Sequence, residues 1–303
     1  MKTPGEQSPS GPIHGKRARL ATQEKIAFQG ERGAFSQEAA RQMLGEDIEV
    51  LPYARFEDVF RSLRQGRATG AVIPIENTLA GSVHENYDHL QNFALPIVAE
   101  TSVRIVHNLI TNKGVHFSAI RRVFSHPVAL NQCLNFFSGH RHIERIPFYD
   151  TAGSVKMLAE ERLMDAAAIA SAVAAEIYGA HILRRSIEDD RRNFTRFFLL
   201  RRPHWARRAE TRAPADPAQW KTSLVFSMRN VPGALFRALA AFALRDLNLT
   251  KIESRPLRGK PWEYLFYLDF LGRVDSPQAL HALNHLRELA DFVRVLGCYP
   301  KGA

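Results

Sequence analysis

The sequence predicts two α/β units in tandem: a larger one with largely parallel sheets over residues 25–202, and a ferredoxin-like sandwich over residues 220–303. Three observations carry this. Short apolar runs alternate with helical patterns from Lys25 to Leu200, as expected of strands connected through helices. Apolar periodicity then lapses between Pro203 and Gln219. Beyond that gap the pattern restarts in the order strand, helix, strand, strand, helix, strand over about 80 residues.

In chain order, Ile26-Ala27-Phe28 is an apolar strand that leads through Gly30 and Gly33 into a helix over residues 36–44. Phe56, Val59, Phe60 and Leu63 recur at helical spacing, and Ala71-Val72-Ile73 is the next strand. Further strands are expected over residues 97–110, 143–147, 166–170 and 194–200. Helical patterns lie between them near residues 129–137, 155–163 and 172–178. The stretch 203–219 holds three prolines together with alanines and arginines, and is read as a linker. After it come strands over 222–227, 249–253, 264–270 and 293–296, with helices over 235–244 and 277–290. Residues 1–24 are rich in Gly, Ser, Pro and basic side chains and have no apolar segment, so a disordered tail is expected there.

The net charge of +10 invites a nucleic-acid reading, but its distribution argues against one. Residues 1–24 carry four basic and two acidic side chains, and residues 201–220 carry five arginines against Glu210 and Asp216. Half of the excess therefore sits in the tail and the linker, where a solvated charged segment is the ordinary outcome. No recognition helix, zinc finger or aromatic-basic strand accompanies it, so no nucleic-acid partner is expected. An anionic small molecule suits the remaining charge. No run of about 18 apolar residues occurs, and no membrane span is expected. Cys133 and Cys298 show no metal-type spacing and read as reduced thiols of a cytoplasmic protein.

The residues able to do chemistry fall in loops at strand ends, where open α/β sheets form their pockets. Gly30-Glu31-Arg32-Gly33-Ala34-Phe35-Ser36 opens a helix whose free N–H groups suit an anion, although Ser36 as a plain cap explains it equally. It lacks the third glycine of a dinucleotide fingerprint. Pro74-Ile75-Glu76-Asn77-Thr78 offers a carboxylate and an amide for a hydroxylated substrate, or a capped turn. Ser125-His126-Pro127 precedes a helix carrying Gln132 and Cys133; His126 shapes a turn or moves a proton, and Cys133 reads as buried and inert. Asp150-Thr151-Ala152-Gly153 and Ala170-Ser171 are helix starts with their own caps. Thr195-Arg196 heads the apolar run from Phe197 to Leu200. An arginine beside a hydroxyl suits a carboxylate held near a proton donor.

Thr195-Arg196-Phe197, preceded by Asp189 and Asn193, resembles the signature of the prephenate dehydratases. Leu249-Thr250-Lys251-Ile252-Glu253-Ser254-Arg255-Pro256 is similar to a second signature, in that family's regulatory ACT domain. The Gly33-Ala34-Phe35-Ser36, Pro74-Ile75-Glu76-Asn77, Ser125-His126-Pro127 and Asp150-Thr151-Ala152-Gly153 loops fit in the family's order. Asn230 and Gly233-Ala234-Leu235-Phe236 resemble its phenylalanine-binding turn. Val128 and Thr78 depart from it, standing where glutamine and serine are frequent. The match runs from Lys25 to about Tyr299, and only about 24 residues precede it, too few for a helical mutase domain.

The resemblance implies a two-lobed, periplasmic-binding-protein-like catalytic domain with its site in the cleft, followed by an ACT domain, in a homodimer or homotetramer. It implies decarboxylation and dehydration of prephenate to phenylpyruvate under feedback by L-phenylalanine, without metal or cofactor. Thr195 is the expected proton donor to the leaving hydroxide, with Asn77, Gln132 and Glu76 in the catalytic set. Ser36, Ser125, His126, Thr151, Ser171, Asn193, Arg196 and Phe197 are the expected substrate contacts. Asn230, Gly233, Ala234, Leu235 and Phe236 are expected to bind phenylalanine, with Glu253, Ser254 and Arg255 completing the pocket from a neighbouring subunit. Arogenate, which has an amine where prephenate has a keto group, is the alternative substrate. A non-catalytic amino-acid sensor is the alternative from another class. Removal of residues beyond Pro203 is expected to leave turnover but abolish the phenylalanine response, provided that the truncated domain folds.

Overall fold

The computed structural model describes residues 23–204, 216, 219–257 and 259–302. Most of the expected tail and most of the expected linker lie outside the described residues, and Glu24, counted in the tail, opens the first strand. The first lobe contains β1 (Glu24–Gln29), α1 (Phe35–Leu44), β2 (Ile48–Tyr53), α2 (Phe56–Arg64), β3 (Gly70–Asn77), β4 (Gly81–Ser82), α3 (His84–Phe93) and β5 (Ile97–Arg104). The chain then crosses to a second lobe. This holds β6 (Asn108–Thr111), β7 (Arg122–Ser125), α4 (Pro127–Asn131), α5 (Leu134–Ser138), β8 (Glu144–Pro147), α6 (Thr151–Glu161), β9 (Ala166–Ala170), α7 (Ala172–Ile177) and β10 (His181–Arg184). It returns as β11 (Phe194–Arg201), which inserts between β3 and β5.

The two sheets run β2-β1-β3-β11-β5 and β10-β6-β9-β7-β8. They are mixed rather than largely parallel. The returning β11 lies antiparallel to both β3 and β5, and β6 lies antiparallel to β9 and β10. The run 97–110 is two strands in two sheets, with the crossing between lobes at residues 105–107. The run 129–137 is two short helices. The Asp189 carboxylate accepts from the Leu134 and Asn135 N–H groups at 2.8 and 2.9 Å and starts a new helix there.

The third unit follows the expected order: β12 (Trp220–Met228), α8 (Ala234–Ala243), β13 (Leu249–Pro256), β14 (Tyr264–Leu271), α9 (Pro277–Leu289) and β15 (Phe292–Pro300). Its sheet runs β13-β14-β12-β15. Alternate residues of a strand face opposite sides, and both sides are used here. Leu224, Phe226, Leu268 and Phe270 pack under α8 and α9 with Ala238, Phe242, Leu283 and Leu286. Val225, Leu265, Tyr267, Leu296 and Tyr299 join the first lobe's core with Tyr87, Leu90, Ile97 and Phe198. The backbones come very close. A Cβ on Gly297 would meet the Ile97 carbonyl oxygen at 2.2 Å, so only glycine fits where β15 crosses β5.

This packing bears on whether the truncated first unit can fold. Each large apolar side chain in the shared core contributes about 1.5–3 kcal/mol, and five of the contributing residues named above come from the third unit. A chain ending at Pro203 is expected to be insoluble or to melt far below the full-length protein, instead of being an active, deregulated enzyme. Expression yield and a thermal melt of the truncated chain check this; a soluble fragment with full turnover would contradict it.

Candidate functional site

The cleft between the two lobes encloses ≈ 450 Å³, within the usual range for a small-molecule pocket. Ser36, Asn77, His126, Gln132, Thr151, Thr195 and Phe197 line it, as do Phe35, His107, Tyr149 and Asp150. Register explains two of the first group, Asn77 and Thr195. Asn77 and Thr195 are cross-strand partners on β3 and β11, and so are Glu76 and Arg196. Alternation therefore turns Asn77 and Thr195 into the cleft and their neighbours to the opposite face.

The hydrogen bonds in the cleft fix a direction. Asn77 Oδ1 accepts from the Leu79 and Ala80 N–H groups at 3.0 and 2.8 Å. The Asn77 amide must then present Nδ2 to Asn193 Oδ1 (2.7 Å) and Thr195 Oγ1 (2.9 Å). With its oxygen accepting from Asn77, Thr195 keeps its own hydrogen free to donate. Asn193 Oδ1 is an acceptor, so its Nδ2 donates to Gln132 Oε1 (2.8 Å), and Gln132 Nε2 turns back to Asn77 Oδ1 (3.3 Å). Gln132 Oε1 accepts a second bond, from His107 Nε2 at 2.9 Å. His107 is thereby the Nε2–H tautomer. Burial lowers its pKa and keeps it neutral. Its ring is braced edge-on by Phe35, with centroids 6.0 Å apart.

Helix starts form the rest of the wall. Ala34 caps α1 without a side-chain hydrogen bond, leaving N–H groups for a ligand beside Phe35 and Ser36. His126 caps α4, its Nδ1 accepting from Val128 N at 3.3 Å, and burial lowers its pKa. Asp150 caps α6 through Gly153 N at 2.8 Å. No lysine or arginine is among the described residues lining the cleft. An anion bound here would be held by helix N-termini and hydroxyls.

Several expected site residues lie elsewhere. Asn193 is fully buried behind Asn77 and Gln132, and orients them. Ser125 is buried and donates to the Ile169 carbonyl at 2.6 Å, tying β7 to β9. Ser171 caps α7 and donates to the Gly33 carbonyl at 2.7 Å, which fastens one lobe to the other. Glu76 and Arg196 face the third unit: Lys251 donates to Glu76 at 2.5 Å, and Arg196 pairs with Glu76, Glu100 and Asp269. Arg196 is therefore not placed to hold a ligand carboxylate in the cleft. Burial raises the pKa of the Cys133 thiol, consistent with an inert side chain. His107 was missed in the sequence because it sits inside the run read as one strand, where neighbouring polar residues such as Arg104 and Asn108 leave nothing to mark it out.

A second pocket of ≈ 330 Å³ lies in the third unit, lined by Asn230, Gly233, Ala234, Leu235, Phe236, Tyr264 and Phe266 among others. Gly233 has φ +75°, a backbone region that strains any side chain. Glu253 and Arg255 do not reach this pocket. The strand expected over 249–253 runs on to Pro256 as β13, whose Lys251, Glu253 and Arg255 face the first lobe. Ser82 donates to Glu253 at 2.6 Å, and Arg255 donates to Asp88 at 3.2 Å. Ser254 points to the other side and is exposed.

A model of the prephenate dehydratase family matches residues 26–204, and a model of the ACT domain matches residues 222–288. A relative from Arabidopsis thaliana, arogenate dehydratase/prephenate dehydratase 2, chloroplastic, is 45% identical over 285 residues, or 91% of this chain and 72% of that protein. Among solved structures, a prephenate dehydratase in complex with L-Phe from Arthrobacter aurescens superposes with a TM-score of 0.81 at 30% identity. It covers 91% of this chain and 90% of the other. A protein described as a novel type of quorum quenching acylase superposes with a TM-score of 0.82 at 34% identity, over 91% and 98% of the two chains.

Proposed function

The chain belongs to the prephenate dehydratase family, and from that premise we propose how its cleft carries out the reaction and how the ACT domain controls it. Prephenate carries a ring hydroxyl opposite the ring carboxylate that is lost. As the carbon–carbon bond to that carboxylate breaks, its electron pair moves through the ring and expels hydroxide, which takes up a proton from solvent to leave as water beside carbon dioxide and the aromatic ring of phenylpyruvate. Thr195 donates its hydroxyl hydrogen to the departing oxygen, a hydrogen bond that strengthens as charge develops there. Asn77, Asn193, Gln132 and His107 hold Thr195 with that hydrogen free. The single observation that carries the reading is the one-way chain of hydrogen bonds from His107 to Gln132, from Gln132 to Asn77, and from Asn77 to Thr195. Ser36, the start of α1 and His126 receive the substrate's carboxylates, and Phe197 packs against its ring.

Arogenate is favoured as a second substrate by the name of the Arabidopsis relative. The acylase reading gains nothing from this cleft, because the hydroxyl of Thr195 is bonded to an amide, which cannot take a proton from it. The second pocket binds L-phenylalanine, its carboxylate against the start of α8. β13 is an edge strand with Ile252 exposed, and a second copy of the chain covers it in a homodimer or homotetramer. The free thiols of Cys133 and Cys298 suit a reducing compartment, and we place the chain in the cytoplasm. No described helix is long and apolar enough to cross a membrane.

Purified full-length protein in excess chelator is expected to convert prephenate to phenylpyruvate, and millimolar phenylalanine is expected to slow it. Phenylpyruvate absorbance and calorimetry check both. No turnover of prephenate or arogenate would overturn the enzyme reading; turnover indifferent to phenylalanine would overturn only its regulation. A Gly233→Ala variant is expected to lose the phenylalanine response while keeping turnover.

A further inference from the structure

Phe35 lines both the cleft and a further pocket of ≈ 290 Å³ at the hinge between the lobes. That size is close to the lower end for small-ligand sites, about 300 Å³. The pocket draws on both lobes and on both crossings of the chain. Glu38 comes from α1 and Arg104 from the end of β5, and Val106 lies in the first crossing. Ser171 and Val173 come from the start of α7, and Arg185 from the segment that returns to β11. Two of these side chains carry opposite charges that the described residues leave unbalanced. Glu38 forms no ion pair: the Ser171 hydroxyl bonds to it, and Arg41, which acts on it electrostatically, is itself paired with Glu46 at 3.1 Å. Burial pushes the Glu38 pKa up to about 7, as expected of a carboxyl without a close cation. Arg185 is exposed and has no hydrogen-bond or ion-pair partner among the described residues. Arg104, by contrast, is held by Glu188 at 3.2 Å and by the Arg191 carbonyl at 3.1 Å.

A carboxyl and a guanidinium that line one cavity, each unpaired and not joined to the other, complement a ligand bearing both charges. A guanidinium suits a carboxylate, which it holds through two parallel hydrogen bonds. An ammonium suits Glu38. A plain anion would meet the like charge of Glu38, and a plain cation that of Arg185, so neither matches the pair. Phe35, Val106, Ala172 and Val173 leave an apolar wall for the rest of the ligand. We infer that the hinge pocket binds a small α-amino acid with an apolar side chain, at a site separate from the pocket in the ACT domain. Binding here is independent of the reaction in the cleft. Its occupant touches Phe35, which braces the His107 ring, and so adjoins the hydrogen bonds that hold Thr195.

Calorimetry tests this with L-leucine as the probe, against 4-methylpentanoate, which lacks the ammonium, and 3-methylbutylamine, which lacks the carboxylate. Full-length protein is expected to bind leucine, and each analogue about ten- to hundredfold more weakly, the usual worth of a hydrogen bond to a charged group. Glu38→Gln and Arg185→Gln are each expected to weaken leucine binding by a similar factor. Arg185 is exposed, so its variant serves should the other fold poorly. Gly233→Ala, altered in the ACT pocket, is expected to bind leucine as the wild type does. Absence of leucine binding, equal binding of either analogue, or binding that the folded Arg185→Gln variant leaves unchanged overturns the inference. Loss of leucine binding in Gly233→Ala also overturns it, since leucine would then occupy the ACT pocket.

Discussion

Replacing Arg196 with methionine is expected to cost the protein about 3–5 kcal/mol of stability, the loss associated with removing one partner from a buried ion network. The guanidinium is nearly buried between the first lobe and the ACT sheet. It lies 2.7 Å from Asp269, 2.5 Å from Glu100 and 3.1 Å from Glu76, and stacks over the Phe198 ring at 4.8 Å. Burial alone would lower its pKa, but Asp269 and Glu100 outweigh that and hold it above the ordinary value. Lys221 and Lys251 supply two further cations, to Glu100 at 2.6 Å and to Glu76 at 2.5 Å. With Arg196 gone, these two lysines face three carboxylates. Asp269 then keeps only the hydrogen bond from Ser223 at 2.6 Å. Urea unfolding checks the loss, and a change below about 1 kcal/mol would contradict it. Adding Asp269→Asn to the variant is expected to recover part of the loss, since the two groups are directly coupled.

The position of this network bears on regulation. Glu76 and Arg196 are the sequence neighbours of Asn77 and Thr195, one residue along the same strands and on the opposite face. Lys251, Glu253 and Arg255 of β13 reach the first lobe at Glu76, Ser82 and Asp88. A shift of β13 caused by phenylalanine in the second pocket would therefore act on the strands that carry Asn77 and Thr195. Such a route requires two arrangements of β13 with different affinity for phenylalanine, with coupling of about 1–3 kcal/mol in typical cases.

Much of this arrangement was legible in the sequence, and the illegible parts have physical reasons. The ACT unit could be read because each of its strands and helices has its own apolar period and a turn at each end. The crossing between lobes could not, because no glycine or proline interrupts residues 97–110, and only the pairing of β5 with β11 and of β6 with β9 separates the two strands. The break at Gln132 is made by Asp189, a partner remote in sequence. The motif residues were all present, but a motif does not say which way each side chain faces. Thr195-Arg196-Phe197 divides between the cleft and the ACT interface, as alternation along a strand requires. Ser125 and Ser171 likewise fasten the frame around the site.

Thr195→Ala is expected to lose about two orders of magnitude in turnover, roughly 3 kcal/mol of transition-state stabilisation. Its KM should stay within a few-fold of the wild type, because a hydrogen bond that strengthens only as the hydroxide leaves contributes little to ground-state binding. A threonine hydroxyl is a weak acid, so its value lies in its position. Asn77 Nδ2 occupies its acceptor side at 2.9 Å, and the anchored amides behind Asn77 prevent the bond from reversing direction. Thr195→Ser keeps the hydroxyl but loses the methyl group that restricts its rotamer, and is expected to fall between the other two. Prephenate turnover by wild type, Thr195→Ser and Thr195→Ala under the same conditions is the most direct measurement of the catalytic claim. The account predicts kcat in that descending order, with the alanine variant about a hundredfold below wild type at similar KM. A Thr195→Ala enzyme within threefold of wild-type turnover would contradict it.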